Sequence, residues 1–497
     1  MRNYRFTAFF LSILILLSGL SVFATEPETS SDAYSGITVG EATPEATPEP
    51  EQIYAAEENE GFYCDKLTNP NSKSIFMVSL DTDTVVYTLN PDEQRPMASL
   101  TKIMSYIVIA ELVDDLHNTR FTVPEEVQTE LQGTNSSLAE IKVGEEFSIF
   151  ELLNLMMVPS GNDAALTLAK FVDGLKIKAE AEDQPYDENG DGIMSFVEMM
   201  NRKAAELGCT NTHFMNPHGL HHVNHYSTAR EIAVMSKYAL SLPYFAEVTS
   251  QQYYNQPPTN LTEEERLVQT SNRMLLSWYD EYYTYATGIK TGSLNESGYC
   301  ISASGHYEGY SYLVVCMGSP YITETGERTH YHGEMFDAAT LLRWAFLNIE
   351  NKTIVEDGDL IGEVGLQYAW EQDTLQVLAK GHVTAMMPRV LGPDDIQIKL
   401  DLPESVKAPV KKGAEIGTAT YIFRGEEIAV IPLIASESVE RSELIQTVEQ
   451  GKEILTSGWF IVTAIVIALL TVAYIALMIS MNRKRRQMRR IRKYRDL

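Results

Sequence analysis

Cysteine is scarce in this 497-residue chain. Cys64, Cys209, Cys300 and Cys316 are too few to staple a molecule of this size, so no disulfide framework organises it. One Cys300–Cys316 bridge between adjacent strand-like runs stays open, since spacing alone does not decide it. Basic residues are also short: 39 Lys and Arg stand against 68 Asp and Glu, a net charge of −29. Neutralising nucleic-acid phosphates needs the opposite balance, so nucleic acid is excluded as a partner. Long apolar runs are missing everywhere except the two ends, and each end reads as a separate device.

Arg2 and Arg5 precede the apolar run 6–20, and Val22-Phe23-Ala24 offers a small-residue cleavage site. This predicts a secretory signal peptide over 1–24. At the other end, 458–480 holds 23 residues without a charge, enough for a transmembrane helix with some tilt. Residues 481–497 then carry nine Lys/Arg against Asp496 alone. Positive flanks stay inside, which predicts a cytoplasmic tail and an extracytoplasmic bulk at the cell membrane. Both basic clusters lie outside the exported part, which is therefore more acidic than the whole chain.

Residues 25–59 are a Pro/Glu/Thr-rich run without apolar periodicity and read as a disordered linker. From 60 to 350 the composition is globular. The runs 74–80 and 84–89 are β-rich around an Asp81-Thr82-Asp83 turn. The run 99–113 is a helix apolar nearly all round, hence buried. Helices follow at 149–157, stopped before Pro159, and at 164–172, and Thr228 with Glu231 suggests a capping box for another. Strand-like runs at 284–293, 299–303 and 310–317 precede a last helix at 337–349. Strands at both ends with helices between predict an α+β domain, one antiparallel sheet covered by helices. Short β runs over 353–440, including a hairpin around Arg424-Gly425-Glu426-Glu427, predict a small all-β domain.

Three motifs stand in order along the globular part: Ser99-Leu100-Thr101-Lys102, Ser160-Gly161-Asn162 and Lys290-Thr291-Gly292. Patterns such as S-x-x-K and S-x-N recur by chance in a chain this long, so order and context carry the weight. At i, i+3 on a helix, Ser99 and Lys102 share a face. Burial and a second cation at Lys290 would lower the Lys102 amine's pKa, allowing it to take the Ser99 proton. Ser160 offers a proton relay and Asn162 an amide for the substrate, although either would also serve as a helix N-cap. Lys290 and Thr291 offer a cation and a hydroxyl to a carboxylate, and Gly292 admits close backbone approach. The backbone N–H groups of Ser99 and Ser293 are the natural oxyanion donors. The inventory suits acyl transfer on a substrate ending in a carboxylate.

These motifs, with Asn216-Pro217-His218-Gly219-Leu220, Tyr226-Ser227-Thr228-Ala229-Arg230 and Glu296-Ser297-Gly298-Tyr299-Cys300, resemble the D-alanyl-D-alanine carboxypeptidases, the low-molecular-mass penicillin-binding proteins. The likeness covers about 60–440, where Ala408-Pro409-Val410-Lys411-Lys412-Gly413 is similar to that family's C-terminal domain. It implies a β-lactamase/transpeptidase-like fold. It also implies an acyl-enzyme on Ser99, with Lys102 as base, Ser160 as relay, and Asn162, Lys290, Thr291, Gly292 and Ser293 binding a peptidoglycan stem peptide. β-Lactams would be covalent inhibitors, and no cofactor would be required for catalysis. A β-lactamase is the nearest alternative, but no E-x-x-L-N is present. A silent wall-binding module is another, against which the intact motifs argue.

Two departures stand out. Family members often end in an amphipathic helix on the membrane, whereas this chain carries a span. The segment 174–194 also looks inserted. Here Asp187, Asn189, Asp191, Gly192, Ser195 and Glu198 occupy positions 1, 3, 5, 6, 9 and 12 of an EF-hand-like pattern suited to Ca2+. An acidic turn leading into an ordinary helix is the competing reading. Five histidines between His213 and His225 lack the acidic partners and helical context of a zinc site.

Overall fold

The computed structural model describes residues 60–178 and 194–495, apart from 324 and 371. The signal segment, the linker, and Asp187, Asn189 and Asp191 lie outside the described residues.

Five antiparallel strands form the central sheet: β1 (Ser74–Ser79), β2 (Val85–Leu89), β3 (Ala286–Leu294), β4 (Gly298–Tyr307) and β5 (Tyr310–Ser319), in the order β2-β1-β5-β4-β3. The N-terminal hairpin thus pairs with strands more than 200 residues later, β1 running against β5 from Ser74↔Met317 to Ser79↔Tyr312. β1 is buried along its whole length, so it shows no polar alternation. Antiparallel sheets usually wet one face; this one is covered on both.

Side-chain alternation sorts the strands between two cores. Phe76, Val78, Leu313, Val315 and Met317 enter one core with the helices α1 (Thr101–Leu112), α2 (Ile149–Met157), α3 (Asn162–Leu175), α4 (Phe196–Glu206) and α5 (Ala229–Leu240). Ile75, Met77, Tyr312, Val314 and Cys316 enter the other with α6 (Gly333–Asn348). Cys300 belongs to the first core and Cys316 to the second, so the sheet itself separates them. All four cysteines are free and buried.

Helix α1 is buried from Thr101 through Ile109, as its apolar circumference requires. Thr228 caps α5 through Glu231 N, but the box is not closed. The Glu231 carboxylate instead accepts from Asn211 N and the Thr212 hydroxyl, tying the preceding loop to the helix. Helix α3 starts two residues earlier than its apolar pattern indicates, at Asn162.

After α6 the chain enters β structure directly. A six-stranded sheet runs in the order Gln397–Asp401, Glu415–Phe423, Glu426–Ala435, Thr374–Ala379, Leu360–Gln367 and Ser405–Lys407, beside the pair Ile349–Val355 and Val383–Pro388. Its hairpin turn is Arg424-Gly425 alone, tighter than the four-residue loop expected. Both residues have positive φ, +55° and +83°, matching the twist of a two-residue turn. The second core continues into this region, where the Tyr312 hydroxyl points to Met386 Sδ at 3.9 Å. Residues 443–456 form a helix rather than a plain link, and Gly458–Gln487 of the next helix is long and apolar enough to cross a membrane.

One buried carboxylate locks the N-terminal segment to α6. Asp337 accepts from Ser72 N (2.7 Å), Asn71 N (3.2 Å) and Asn71 Nδ2 (2.9 Å). Asp337→Ala strands these donors and is expected to lower unfolding free energy by about 1–3 kcal/mol. Denaturant titration checks this; an unchanged midpoint would mean that water replaces the carboxylate without cost.

Candidate active site

The chain reaches Ser99 through a left-handed residue, Ala98 (φ +47°), and a single 3-10 turn at Ala98–Leu100 that leads into α1. A buried relay holds this turn. His225 Nδ1 accepts from Met215 N at 3.0 Å, so its proton sits on Nε2, which is 2.7 Å from Thr101 Oγ1. The Thr101 hydroxyl donates to Ala98 O at 2.7 Å. Burial pushes His225 down to about 3, keeping it neutral and the relay intact. With both ring nitrogens committed, His225 is not a metal ligand.

Glycines press on the same turn from both sides. A Cβ on Gly219 would lie 2.0 Å from Ala98 O, and one on Gly292 would lie 2.9 Å from Met97 O and 3.1 Å from Ser99 N. Asn216 shapes the first contact by accepting from Gly219 N (2.7 Å) and donating to Leu220 O (2.9 Å). Ser105 on α1 donates to Pro217 O at 2.6 Å.

Lys102 is wholly buried. Its Nζ lies 2.6 Å from Asn162 Oδ1, 2.9 Å from His218 O and 2.9 Å from Ser99 Oγ. The first two neighbours only accept, so they claim two amine hydrogens. Desolvation above all, then repulsion from Lys290, holds the amine well below the ordinary lysine range, while Asp163 opposes the shift. A neutral amine with two N–H groups committed has its lone pair left for the Ser99 hydroxyl.

Asn162 is therefore not a cap. Gly161 occupies the N-cap of α3 without a side-chain bond, and the capping work falls to Asp163. Its carboxylate accepts from Ala139 N (2.8 Å), Ile141 N (3.2 Å) and Ala164 N (2.9 Å), fastening the 139–141 loop beside the site. Ser160 is buried in the left-handed region (φ +66°) at the break between α2 and α3.

Ser99, Ser160, Asn162, Thr291, Gly292 and Ser293 share one cleft of about 580 Å³. Lys290 sits behind its wall, 1 % exposed, with desolvation lowering its amine to about 7 and Nζ donating to Thr291 O. Thr291 opens to the cleft and pairs with the Ser271 hydroxyl at 2.6 Å. The sequence pointed to the motifs holding His218 and Tyr299 without assigning either a role, and gave no sign of Ser271, Arg273 or Arg328 on the cleft wall. These three belong to runs whose spacing carries no signal.

Among the described residues no cluster of three or more His, Cys, Asp or Glu is arranged for a metal ion. Ser195 and Glu198 form a capping box at the start of α4: Ser195 Oγ accepts from Glu198 N, and the Glu198 carboxylate accepts from Ser195 N.

An antiparallel sheet flanked by helices, with a serine facing an enclosed lysine amine in an open cleft, defines an active-site-serine hydrolase. The comparisons sharpen this. The family described as D-alanyl-D-alanine carboxypeptidase matches residues 64–180 and 187–320, and the penicillin-binding protein 5 C-terminal domain matches 350–441. The chain belongs to the D-alanyl-D-alanine carboxypeptidase family. It is 27 % identical over 376 residues to the D-alanyl-D-alanine carboxypeptidase DacF of Bacillus subtilis, covering 75 % of this chain and 87 % of that protein. It is 27 % identical over 363 residues to DacA of Haemophilus influenzae, covering 72 % and 82 %. The solved penicillin binding protein 5 of H. influenzae superposes with a TM-score of 0.52 at 25 % identity, over 75 % of this chain and 98 % of that one.

Gly219→Ala forces a methyl into the Ala98 carbonyl at a positive-φ position (+93°). It is expected to slow acylation by a β-lactam by about 10²-fold or more through displacement of Ser99. Stopped-flow labelling measures the rate, and a parental rate would mean that the turn tolerates movement.

Proposed function

We propose that this protein is a serine-type D-alanyl-D-alanine carboxypeptidase that removes the terminal D-Ala from peptidoglycan stem peptides in cell-wall biogenesis. The observation that carries the reading is the enclosure of the Lys102 amine by two fixed acceptors, with Ser99 Oγ as its third neighbour.

In this reading Ser99 Oγ attacks the carbonyl of the penultimate D-Ala while Lys102 takes its proton. The N–H groups of Ser99 and Ser293 receive the developing oxyanion. Asn162 fixes Lys102 through Oδ1 and offers Nδ2 to the substrate amide. Ser160 passes a proton to the departing D-Ala nitrogen, and water then cleaves the ester on Ser99. Thr291 grips the terminal carboxylate from the cleft wall, Gly292 lets the substrate's neighbouring backbone come close, and Lys290 contributes a cation from behind it. β-Lactams acylate the same oxygen and leave slowly. The chemistry needs no cofactor. The apolar C-terminal helix anchors the protein in the membrane, and the basic run after it supports a cytoplasmic tail and an extracytoplasmic catalytic part.

Ser99→Ala is expected to lose D-Ala release by more than about 10³-fold and to show no mass increase after penicillin treatment. A covalent adduct on that variant would sink the assignment.

The pH dependence has a definite sign. Lys102 must be neutral to act, so acylation falls as pH drops through its depressed pKa and levels off above it. Burial is the main cause of the depression and Lys290 the second. Lys290→Ala removes the repulsion, so the acid limb should move to higher pH. An acid limb that stays in place in stopped-flow pH profiles would exclude Lys102 as the titrating base.

We also propose that the loop beginning at Asp187 and ending at Glu198 binds Ca2+. The reading rests on the ligand spacing of Asp187, Asn189, Asp191, Ser195 and Glu198. Calorimetry should give a saturable heat with the parent that Asp187→Ala abolishes; identical traces would remove the idea.

A further inference from the structure

An aromatic shelf leaves the catalytic cleft on one side. The hairpin Tyr253–Gln256 and Arg266–Gln269 sets Tyr253 opposite Gln269, and Gln269 lines the cleft. Tyr253 stacks on Trp278 with ring centres 6.1 Å apart and planes 21° apart. Trp278 is 54 % exposed and Tyr253 41 %. Tyr279 follows, clamped by the Arg273 guanidinium 4.6 Å above its ring. Arg273 and Tyr279 line both the cleft and an adjoining hollow of about 310 Å³ whose far side holds Tyr331. The shelf and the cleft are therefore continuous.

A soluble surface seldom keeps large rings bare, and here mutual stacking holds them in position. The chemistry around them narrows the occupant. In the hollow itself the Arg273 guanidinium is paired with the buried Glu281 carboxylate at 3.3 Å, and Asp280 stands exposed after Trp278 and Tyr279. Among the described residues the one arginine lining the hollow is thus already paired, which leaves no spare cation there for an anionic lipid or phosphate polymer. An uncharged saccharide offers what remains: apolar C–H faces for the rings, and hydroxyl and acetamide edges for carboxylate and carboxamide groups.

We infer that the Tyr253–Trp278 shelf binds the sugar backbone to which the stem peptide is attached, an uncharged β-linked N-acetylhexosamine strand. The inference rests on the carboxypeptidase reading for the peptide's place in the cleft. It makes the protein selective for glycan-borne over free peptide.

The full chain in detergent tests this with two substrates: a free peptide ending in D-Ala-D-Ala, and the same peptide on a short glycan strand. Trp278→Ala should raise KM for the glycan-borne substrate roughly tenfold, one contact's worth, with kcat unchanged and the free peptide untouched. In parallel, Ser99→Ala titrated with a hexamer of N-acetylglucosamine should show a saturable change in tryptophan fluorescence that disappears when Trp278→Ala is added. Equal losses on both substrates, no loss on either, or a fluorescence change that survives Trp278→Ala would overturn the shelf. If the parent released D-Ala from neither substrate, the carboxypeptidase reading would fall. The fluorescence titration alone would then decide the shelf, a saturable Trp278-dependent response supporting it and its absence overturning it.

Discussion

The buried amine of Lys102 is the constraint on which the rest of the site depends. A lysine taken out of water resists carrying charge, and among the described residues no carboxylate lies within bonding distance of this one to compensate. Its neighbours instead suit the neutral form: two acceptors for two hydrogens, and a hydroxyl for the lone pair. Enclosure favours the neutral form, because burial penalises the charge that an exposed lysine one turn from a serine would keep. The reactivity of Ser99 is thus a property of the packing around α1.

That packing is why so much polar machinery sits where no substrate reaches. The Met215–His225–Thr101–Ala98 relay and the Asn216 side chain do not line the cleft, yet they fix the carbonyl of His218 and the turn carrying Ser99. Gly219 and Gly292 exist as glycines because the nucleophile turn occupies the space a Cβ would fill. Asp163 performs the matching service for the loop at 139–141. Each is a short, fully satisfied connection, the arrangement that keeps a strained turn rigid.

The sheet has a second role beyond holding strands. Covered on both faces, it divides one core with the catalytic helices from another that runs on into the β region. The β region is consequently packed against the core that holds α6, not the one that holds the helix carrying Lys102. Cleft, β region and apolar C-terminal helix follow one another along a chain of net charge −29, with the Lys290 amine buried behind the cleft wall.

Much of this was legible from residues alone. Period-2 and period-3.6 patterning gave the α+β class and most elements, because burial acts locally and repeats. The Ser99/Lys102 spacing, the charge-free run near the C-terminus and the turn residues are likewise local facts. Other things were not local. Whether Asn162 caps a helix or holds Lys102, and whether Cys300 can meet Cys316, depend on which face of which strand a residue occupies. The aromatic shelf needs Tyr253 of a hairpin strand brought against Trp278 of a later loop, and the His218 carbonyl needs a loop 116 residues from Lys102. The sequence determined which groups were present and how the chain would fold locally. Only the tertiary structure decided which of them lost water together, and loss of water is what weakens a lysine's hold on its proton.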